Sequence, residues 1–365
     1  MQQPLNNPFA ADEQAQPSEH QLPASARVVS MMNGMATFHA IRVAARYNLA
    51  GIIEAHGPLT VAELAEKSGT HAFSLFRLLR ALASIGLFQA VNPEESDPLQ
   101  VSFAQTELSR VLVPHLPESI YDAALLLDAD WHQESWSVLE HSIATGEPGL
   151  RIRTGKDLWA YLREHPSEQD LFQRVMSLIS RQLATANLRS YDFSSFERVV
   201  DVAGGRGTLL ISILRAYPHL VGTLFDQPEV IELARPLLLQ DPDLGRRCEL
   251  VSGNFLQAEA LPADGDCYCL QQILHDWSDE HCLQILRNIR QAIRPHGRLL
   301  ILERVIEPGP GGAPNKFFDL EMLALLEGRE RTLREYEQLL HACKFRLSAI
   351  RPTLSTFSIV EGIPL

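Results

Sequence analysis

The residues best placed to do chemistry fall in the second half of the chain. Gly204, Gly205 and Gly207 stand in the run Asp201-Val202-Ala203-Gly204-Gly205-Arg206-Gly207, directly after one apolar stretch and before a helical one. Glycines in that context let a backbone approach a bound ligand closely. The spacing is not G-x-G-x-x-G, so a dinucleotide site and an empty strand-to-helix turn both stay open at this point. Asp226 ends the next apolar run, 22 residues beyond Gly204, where a carboxylate can accept hydrogen bonds from both ribose hydroxyls of an adenosine. A solvated acid at a strand end is the alternative. His275 follows the apolar pair Ile273-Leu274; taken alone it reads as an ordinary polar residue near a helix N-terminus. His275, Asp276, Asp279, Glu280 and His281 crowd together in sequence, but most fall in the first turn of one helix and diverge, and acids there suit the helix dipole. No metal is therefore expected. Cys267-Tyr268-Cys269 lacks the second pair or the histidines of a tetrahedral zinc site and reads as buried thiols.

Two kinds of element must position these residues. From about Val28 to Arg189 the apolar residues recur at helical spacing with almost no strand signal, punctuated by Gly51, Pro58, Gly69, Gly86 and Pro114. Within it Thr60 and Glu63 have the spacing of a capping box that opens a helix. After Ser68-Gly69-Thr70 a second helix runs through Leu75, Leu78, Leu79 and Leu82 to Gly86, and Leu87 to Val91 reads as a wing strand. Beyond Ser190 the pattern changes. Val199-Val202, Leu220-Asp226, Cys267-Leu270 and Leu299-Glu303 fit buried parallel strands, separated by helical stretches at Leu209-Ala216, Val230-Leu239 and Ser278-Ile293. Such alternation implies right-handed crossovers and a doubly wound sheet, with a site at the carboxyl ends of its strands. Phe345-Ile350 and Phe357-Val360 are candidate antiparallel edge strands.

Length and charge set the outer limits. At ~150 residues per domain, 365 residues predict two domains. Lys and Arg number 32 against 45 Asp and Glu, for a net charge of -13, which repels nucleic-acid phosphates and anionic lipid. The second helix of the helix-turn-helix offers only Arg77 and Arg80 among apolar residues, so it suits packing or dimer contact better than DNA. Five cysteines, an odd number confined to the last third of the chain, make no secreted disulfide framework. Residues 1–26 lack the basic and apolar regions of a signal peptide and read as a flexible leader. No apolar run reaches the ~18 residues that span a bilayer, so a cytoplasmic protein without membrane or nucleic-acid partners is expected.

Taken in order, Val200 to Gly207, Leu224-Phe225-Asp226-Gln227-Pro228, Gly253-Asn254-Phe255, His275-Asp276-Trp277-Ser278-Asp279-Glu280 and Gly328-Arg329-Glu330-Arg331-Thr332 resemble the S-adenosylmethionine-dependent O-methyltransferases of the caffeic acid and bacterial polyketide type. The resemblance covers almost the whole chain. It implies an α/β protein: a Rossmann-like methyltransferase domain over 191–365, and a mainly α-helical winged-helix domain over 27–190 that forms the homodimer and lines the acceptor. By position, Gly204, Gly205 and Gly207 would line the methionine and ribose of S-adenosylmethionine, Asp226 would hold the ribose hydroxyls and Phe255 would lie against the adenine. Asn254 stands where the family usually has Asp, and Gln271, four residues before His275, where Lys is frequent. Both changes remove charge, but Asn254 can still accept from the adenine amine and Gln271 can still donate.

Methyl transfer from a sulfonium is an in-line displacement, and a phenol of pKa ~10 is largely protonated at neutral pH. The resemblance puts His275 beside the acceptor as general base, with Glu303 and Glu330 matching the family's flanking acids and bracketing the ring. Alignment of the reacting atoms contributes more than the base. Trp131, His132, Trp136, Phe172, Met176 and Met322 are candidates for the acceptor pocket. Phe172 and Met176 stand four apart on one helical face and match substrate-lining positions in the family; core packing is the alternative for all six. The leading reading is a homodimeric, metal-independent O-methyltransferase acting on a small aromatic or polyketide-type hydroxyl. One rival keeps the cofactor but performs a decarboxylation, hydroxylation or pericyclic rearrangement, supported only by Asn254 and Gln271. The other is a winged-helix DNA-binding regulator.

Overall fold

The computed structural model describes residues 23–365, and their contacts divide into two compact units, 23–125 and 126–365. The contacts divide the chain at Leu125 and Leu126, ahead of the change in sequence pattern near Ser190. Packing is the reason. Asp130–Ser137 and Gly149–Thr154 lie against Ala313–Leu325, and Pro166–Ser190 lies against Thr208–Ala216. Helical periodicity shows which face of a helix is apolar, not which layer that face meets. The leader expected over 1–26 lies mostly outside the described residues, and its last three residues open the helix Ala24–Met32.

In the first unit the capping box forms as expected. Thr60 Oγ1 accepts from the Glu63 N–H at 3.2 Å and Glu63 Oε2 accepts from the Thr60 N–H at 2.8 Å, starting Val61–Ser68. Gly69, at φ 67°, turns the chain toward Ala72–Ser84, which buries Leu75, Leu79 and Leu82 and leaves Phe73 exposed. Strands β1 (Leu59–Thr60), β2 (Phe88–Ala90) and β3 (Ser102–Gln105) form an antiparallel sheet in the order β1-β3-β2. Of the three, only β2 was anticipated, within the wing strand read over Leu87 to Val91. Leu49, Ile53, Leu64, Leu79, Phe88 and Phe103 form the core of this unit.

In the second unit β4 (Arg198–Val202), β5 (Val221–Asp226), β6 (Cys248–Ser252), β7 (Cys267–Gln271) and β8 (Arg298–Ile306) run parallel in the order β8-β7-β4-β5-β6. A short β9 (Arg331–Thr332) pairs with the end of β8, and the antiparallel β10 (Phe345–Pro352) and β11 (Phe357–Pro364) extend the sheet beyond it. Alternate residues serve opposite faces. Val200, Tyr268 and Leu270 pack with Ile285 and Ile289, while Val199, Cys267 and Cys269 pack with Leu210 and Ile213. All five cysteines are free, and four of them are buried. The chain runs outward from β4 through β5 and β6, then returns to β7 on the other side of β4. Strand order therefore reverses between β4 and β7, which opens a crevice at their carboxyl ends. Among the described residues no helix is long and apolar enough to cross a membrane.

Candidate active site

The glycine loop leaves β4 through three residues in the left-handed region, Ala203 at φ 55°, Gly205 at 60° and Gly207 at 77°. Gly204 has no room for a side chain: a Cβ there would lie 2.5 Å from Asp201 Oδ2 and 2.6 Å from Leu224 Cδ1. Gly207 caps the helix Thr208–Ala216. At the end of β5 the Asp226 carboxylate accepts from the Gly205 N–H at 2.8 Å and the Gln227 N–H at 2.7 Å. Burial pushes Asp226 up to about 6, against those two hydrogen bonds. Burial, and then the neighbouring Asp226 charge, push Asp201 up to about 7. Asp201 Oδ2 is buried with no hydrogen-bond partner.

A cavity of about 170 Å³ opens over this loop, and Gly204, Gly205, Asp226, Phe255, Gln271, His275, Phe172 and Met176 all line it. Other expected site residues are placed elsewhere. Gly207 does not line the cavity; it packs under the loop, where a Cβ would come within 3.1 Å of Leu224. Asn254 is exposed, its Oδ1 accepts from the Leu256 N–H at 2.9 Å, and it lines an adjoining cavity that shares Asp226, Phe255 and Trp277 with the first. Trp131, Trp136 and Met322 line neither cavity. Trp131 Nε1 donates to Glu168 at 3.1 Å, Trp136 Nε1 donates to Glu321 at 2.6 Å, and Met322 is buried in the core. His132 also meets Glu321, at 2.6 Å. These side chains are used up in holding helices together. Gln271 accepts from Asn187 Nδ2 at 3.0 Å and donates to Ser180 at 2.8 Å, tying β7 to Pro166–Ser190.

Trp159, not singled out beforehand, completes the aromatic wall. It stacks on Trp277 with centroids 6.3 Å apart and meets Phe172 edge-on at 6.0 Å, while Phe255 meets Trp277 edge-on at 5.5 Å. Its only sequence signal was an aromatic residue at helical spacing in Leu158-Trp159-Ala160-Tyr161-Leu162.

His275 is 4% exposed on a short turn after β7. The turn is held from both sides. Glu303 Oε1, from β8, accepts from the Ile273 and Leu274 N–H groups at 2.8 and 2.9 Å. The fully buried Arg331 donates to the Leu274 carbonyl at 2.6 Å, to the Trp277 carbonyl at 2.9 Å and to Asp279 at 2.7 Å. The two flanking acids do not bracket the ring. Both lie at Nδ1: Glu330 Oε1 accepts its hydrogen bond at 2.9 Å, while Glu303 Oε2 lies 3.4 Å away without a hydrogen bond. One ring nitrogen of His275 and one carboxylate oxygen each of Glu303 and Glu330 all lie within 4.8 Å of one another. Nε2 instead faces Asp276 Oδ1 at 3.3 Å, a carboxylate to which the sequence alone gives no role at the ring. Asp279 goes to Arg329 and Arg331, and the His281 ring goes to Ser278.

Burial alone lowers the pKa of His275, but the carboxylates of Glu303, Asp276 and Glu330 outweigh it and bring the imidazole up to about 10. Asp276 is pushed up to about 7, mainly by burial and against the pull of His275. Burial likewise raises Glu303. The site is thus a cluster of acids around one imidazole, at the mouth of a cavity that also holds a glycine loop and a strand-end aspartate.

Comparison with known proteins identifies this arrangement. Residues 136–346 match the O-methyltransferase domain and residues 29–115 match the O-methyltransferase dimerisation domain. The chain is 37% identical over 344 residues to the phenazine O-methyltransferase PhzM of Lysobacter antibioticus, covering 94% of this chain and 97% of that one. The crystal structure of LaPhzM superposes with a TM-score of 0.86 at 37% identity, covering 94% of this chain and 100% of that one. An O-methyltransferase from neocarzinostatin biosynthesis, solved with S-adenosylmethionine and 2-hydroxy-5-methyl naphthoic acid, superposes with a TM-score of 0.76 at 33% identity, covering 90% and 96%. With both halves matched and a relative of this identity spanning nearly its whole length, the chain belongs to the S-adenosylmethionine-dependent O-methyltransferases that carry an N-terminal dimerisation domain.

Proposed function

We propose that this enzyme methylates a phenolic hydroxyl of a small aromatic acceptor, with His275 as general base, and that it works as a homodimer through its first unit. The observation that carries the reading is the Nδ1 hydrogen bond to Glu330, which leaves Nε2 as the nitrogen able to take a proton inside the cavity that holds the glycine loop.

The residues present fit the cofactor. Gly204 admits no Cβ, Asp201 keeps a buried carboxylate oxygen without a partner, and Asp226 closes the loop from β5. Gly204 and Gly205 would lie against the methionine and ribose, Asp226 would accept from the ribose hydroxyls, and Phe255 with Trp277 would face the adenine. Gln271 and Asn254 keep polar atoms at the two ends of the site. When bound, S-adenosylmethionine supplies an electrophilic methyl on a cationic sulfur, whose charge also disfavours a protonated His275.

An imidazole near 10 matches a phenol of pKa ~10, so moving the phenol proton to neutral Nε2 is close to thermoneutral. The same raised pKa leaves roughly one imidazole in 10³ neutral at pH 7 in the unliganded site. Asp276 occupies the Nε2 side, and an acceptor hydroxyl has to take its place there. Phe172, Met176 and Trp159 give the acceptor apolar walls, which suits a planar ring with few polar groups. As the hydroxyl oxygen bonds to the methyl carbon and the carbon–sulfur bond breaks, the hydroxyl proton goes to Nε2.

Formation of S-adenosylhomocysteine with a panel of small phenols tests the reading. His275→Ala is expected to lower kcat/KM by roughly 10²- to 10⁴-fold with cofactor affinity within a few-fold of the parent. Unchanged turnover in His275→Ala, or cofactor binding with no methylation across a broad panel of phenols, would overturn it.

A further inference from the structure

One charged side chain beside the acid cluster has no place in that account. Arg304 follows Glu303 on β8, is only 13% exposed, and ends 3.8 Å from Glu330 Oε1, the oxygen that accepts from His275 Nδ1. Its Nη1 is buried without a hydrogen-bond partner. The guanidinium is clamped between two rings, with Phe318 at 3.7 Å and Phe357 at 4.3 Å. Phe357 is its direct cross-strand partner on β11, and Phe318 also lies along the His275 ring at 6.1 Å. A cation held between aromatic faces, rather than in a bidentate salt bridge, is poorly explained as a fold-stabilising pair. It acts instead as a fixed positive charge behind Glu330.

We propose that Arg304 is a positioning residue of the methyl-transfer site, whose fixed charge holds Glu330 in its hydrogen bond to Nδ1 and offsets the surrounding acids so that His275 can present an unprotonated Nε2. This rests on the reading of His275 as the base.

The groups facing the pair are few. Asp276 faces Nε2, Glu303 comes from β8, Glu330 from the loop before β9, Asp319 from Ala313–Leu325 through the Glu330 N–H at 2.7 Å, and Tyr336 from the following helix. Arg331 is bound to the Leu274 and Trp277 carbonyls and to Asp279. Arg304 is thus the cation paired directly with the acid that holds the imidazole. Without it the acids around the ring are less offset, and His275 gains proton affinity. The imidazolium that results cannot accept from a phenol.

Arg304→Met and Arg304→Lys, each measured in the full-length enzyme from pH 6 to 10 with S-adenosylmethionine and a turned-over phenol, test the idea alongside His275→Ala. Arg304→Met is expected to move the acid limb of kcat/KM up by about one to two pH units. At saturating S-adenosylmethionine, whose cationic sulfur lowers the acid limb from the unliganded value near 10 into the measured range, activity at pH 7 then falls about 10- to 100-fold and the loss narrows toward pH 10, with cofactor affinity unchanged. Arg304→Lys, which keeps the charge, is expected to restore most of the midpoint. A pH-independent loss in Arg304→Met, or an unshifted profile, overturns the inference while a dead His275→Ala leaves the base assignment standing. An active His275→Ala overturns both.

Discussion

Glu303 and Glu330 are both fully enclosed carboxylates at the same imidazole nitrogen, yet their partners give them different tasks. Glu303 spends one oxygen on two backbone N–H groups and reaches Nδ1 only at 3.4 Å, so it chiefly builds the turn that carries His275. Glu330 makes the hydrogen bond to the ring and so chiefly sets its tautomer. Replacing Glu303 by Ala strands two buried N–H groups at a cost of about 1–3 kcal/mol each, and denaturant unfolding is expected to show a loss of about 2–6 kcal/mol. Glu330→Gln keeps an acceptor for Nδ1 but removes a charge that favours the imidazolium. A smaller stability loss is expected, with the acid limb of the pH profile moved downward, opposite to Arg304→Met. Equal destabilisation of the two variants would refute this division.

At the scale of elements, the site depends on how closely one loop lies on another. A Cβ at Gly328 would sit 1.9 Å from the His275 carbonyl oxygen and 2.5 Å from the Asp276 carbonyl carbon, so the loop that brings Glu330 can dock only if that position is glycine. Gly328→Ala is expected to lower kcat by about 10²-fold or more, the scale of a 1 Å misplacement, with little change in cofactor affinity. Gly311, where a Cβ would meet nothing within 4 Å, is the matched control. Calorimetric titration with steady-state kinetics checks both, and a fully active Gly328→Ala would show that the contact does not matter. Such contacts are what the sequence hides. The strands β4, β5, β7 and β8 were legible because they are buried on both faces and read as unbroken apolar runs. β6 was not, since as the strand at the end of the sheet it is half-exposed and its second residue is the charged Glu249. The glycine loop, Asp226, His275, Glu303 and Glu330 were legible as spaced motifs. Asp276, Arg304 and Trp159 became visible only in three dimensions, because their partners are set by strand register and helix packing. Trp131, Trp136 and Met322 were pocket candidates on residue type with core packing as the alternative, since aromatic and Met side chains serve a core equally well.

For the molecule as a whole, the open question is what covers the first helix. Ala24–Met32 buries none of its own nine residues, and Val28, Val29, Met31 and Met32 are 54–69% exposed, as is Met35 on the next helix at 69%. A nine-residue helix is marginal in water on its own, and apolar side chains gathered this way on a surface mark an interaction site. The dimerisation-domain match spans 29–115, so a second copy of this chain is the natural cover. A net charge of -13 per chain opposes association through long-range repulsion, so the interface has to be apolar and its strength should increase with salt. Met31→Glu with Met35→Glu puts two further charges per chain into that patch. Light scattering is expected to show the parent at twice the mass of one chain and the double variant at the mass of one, with the shift from dimer to monomer largest at low salt. Because the residues proposed to hold the cofactor all belong to 126–365, the monomeric variant is expected to keep its affinity for S-adenosylmethionine. A parent of single-chain mass at micromolar concentration, or a double variant that stays dimeric, would remove the first helix from the interface.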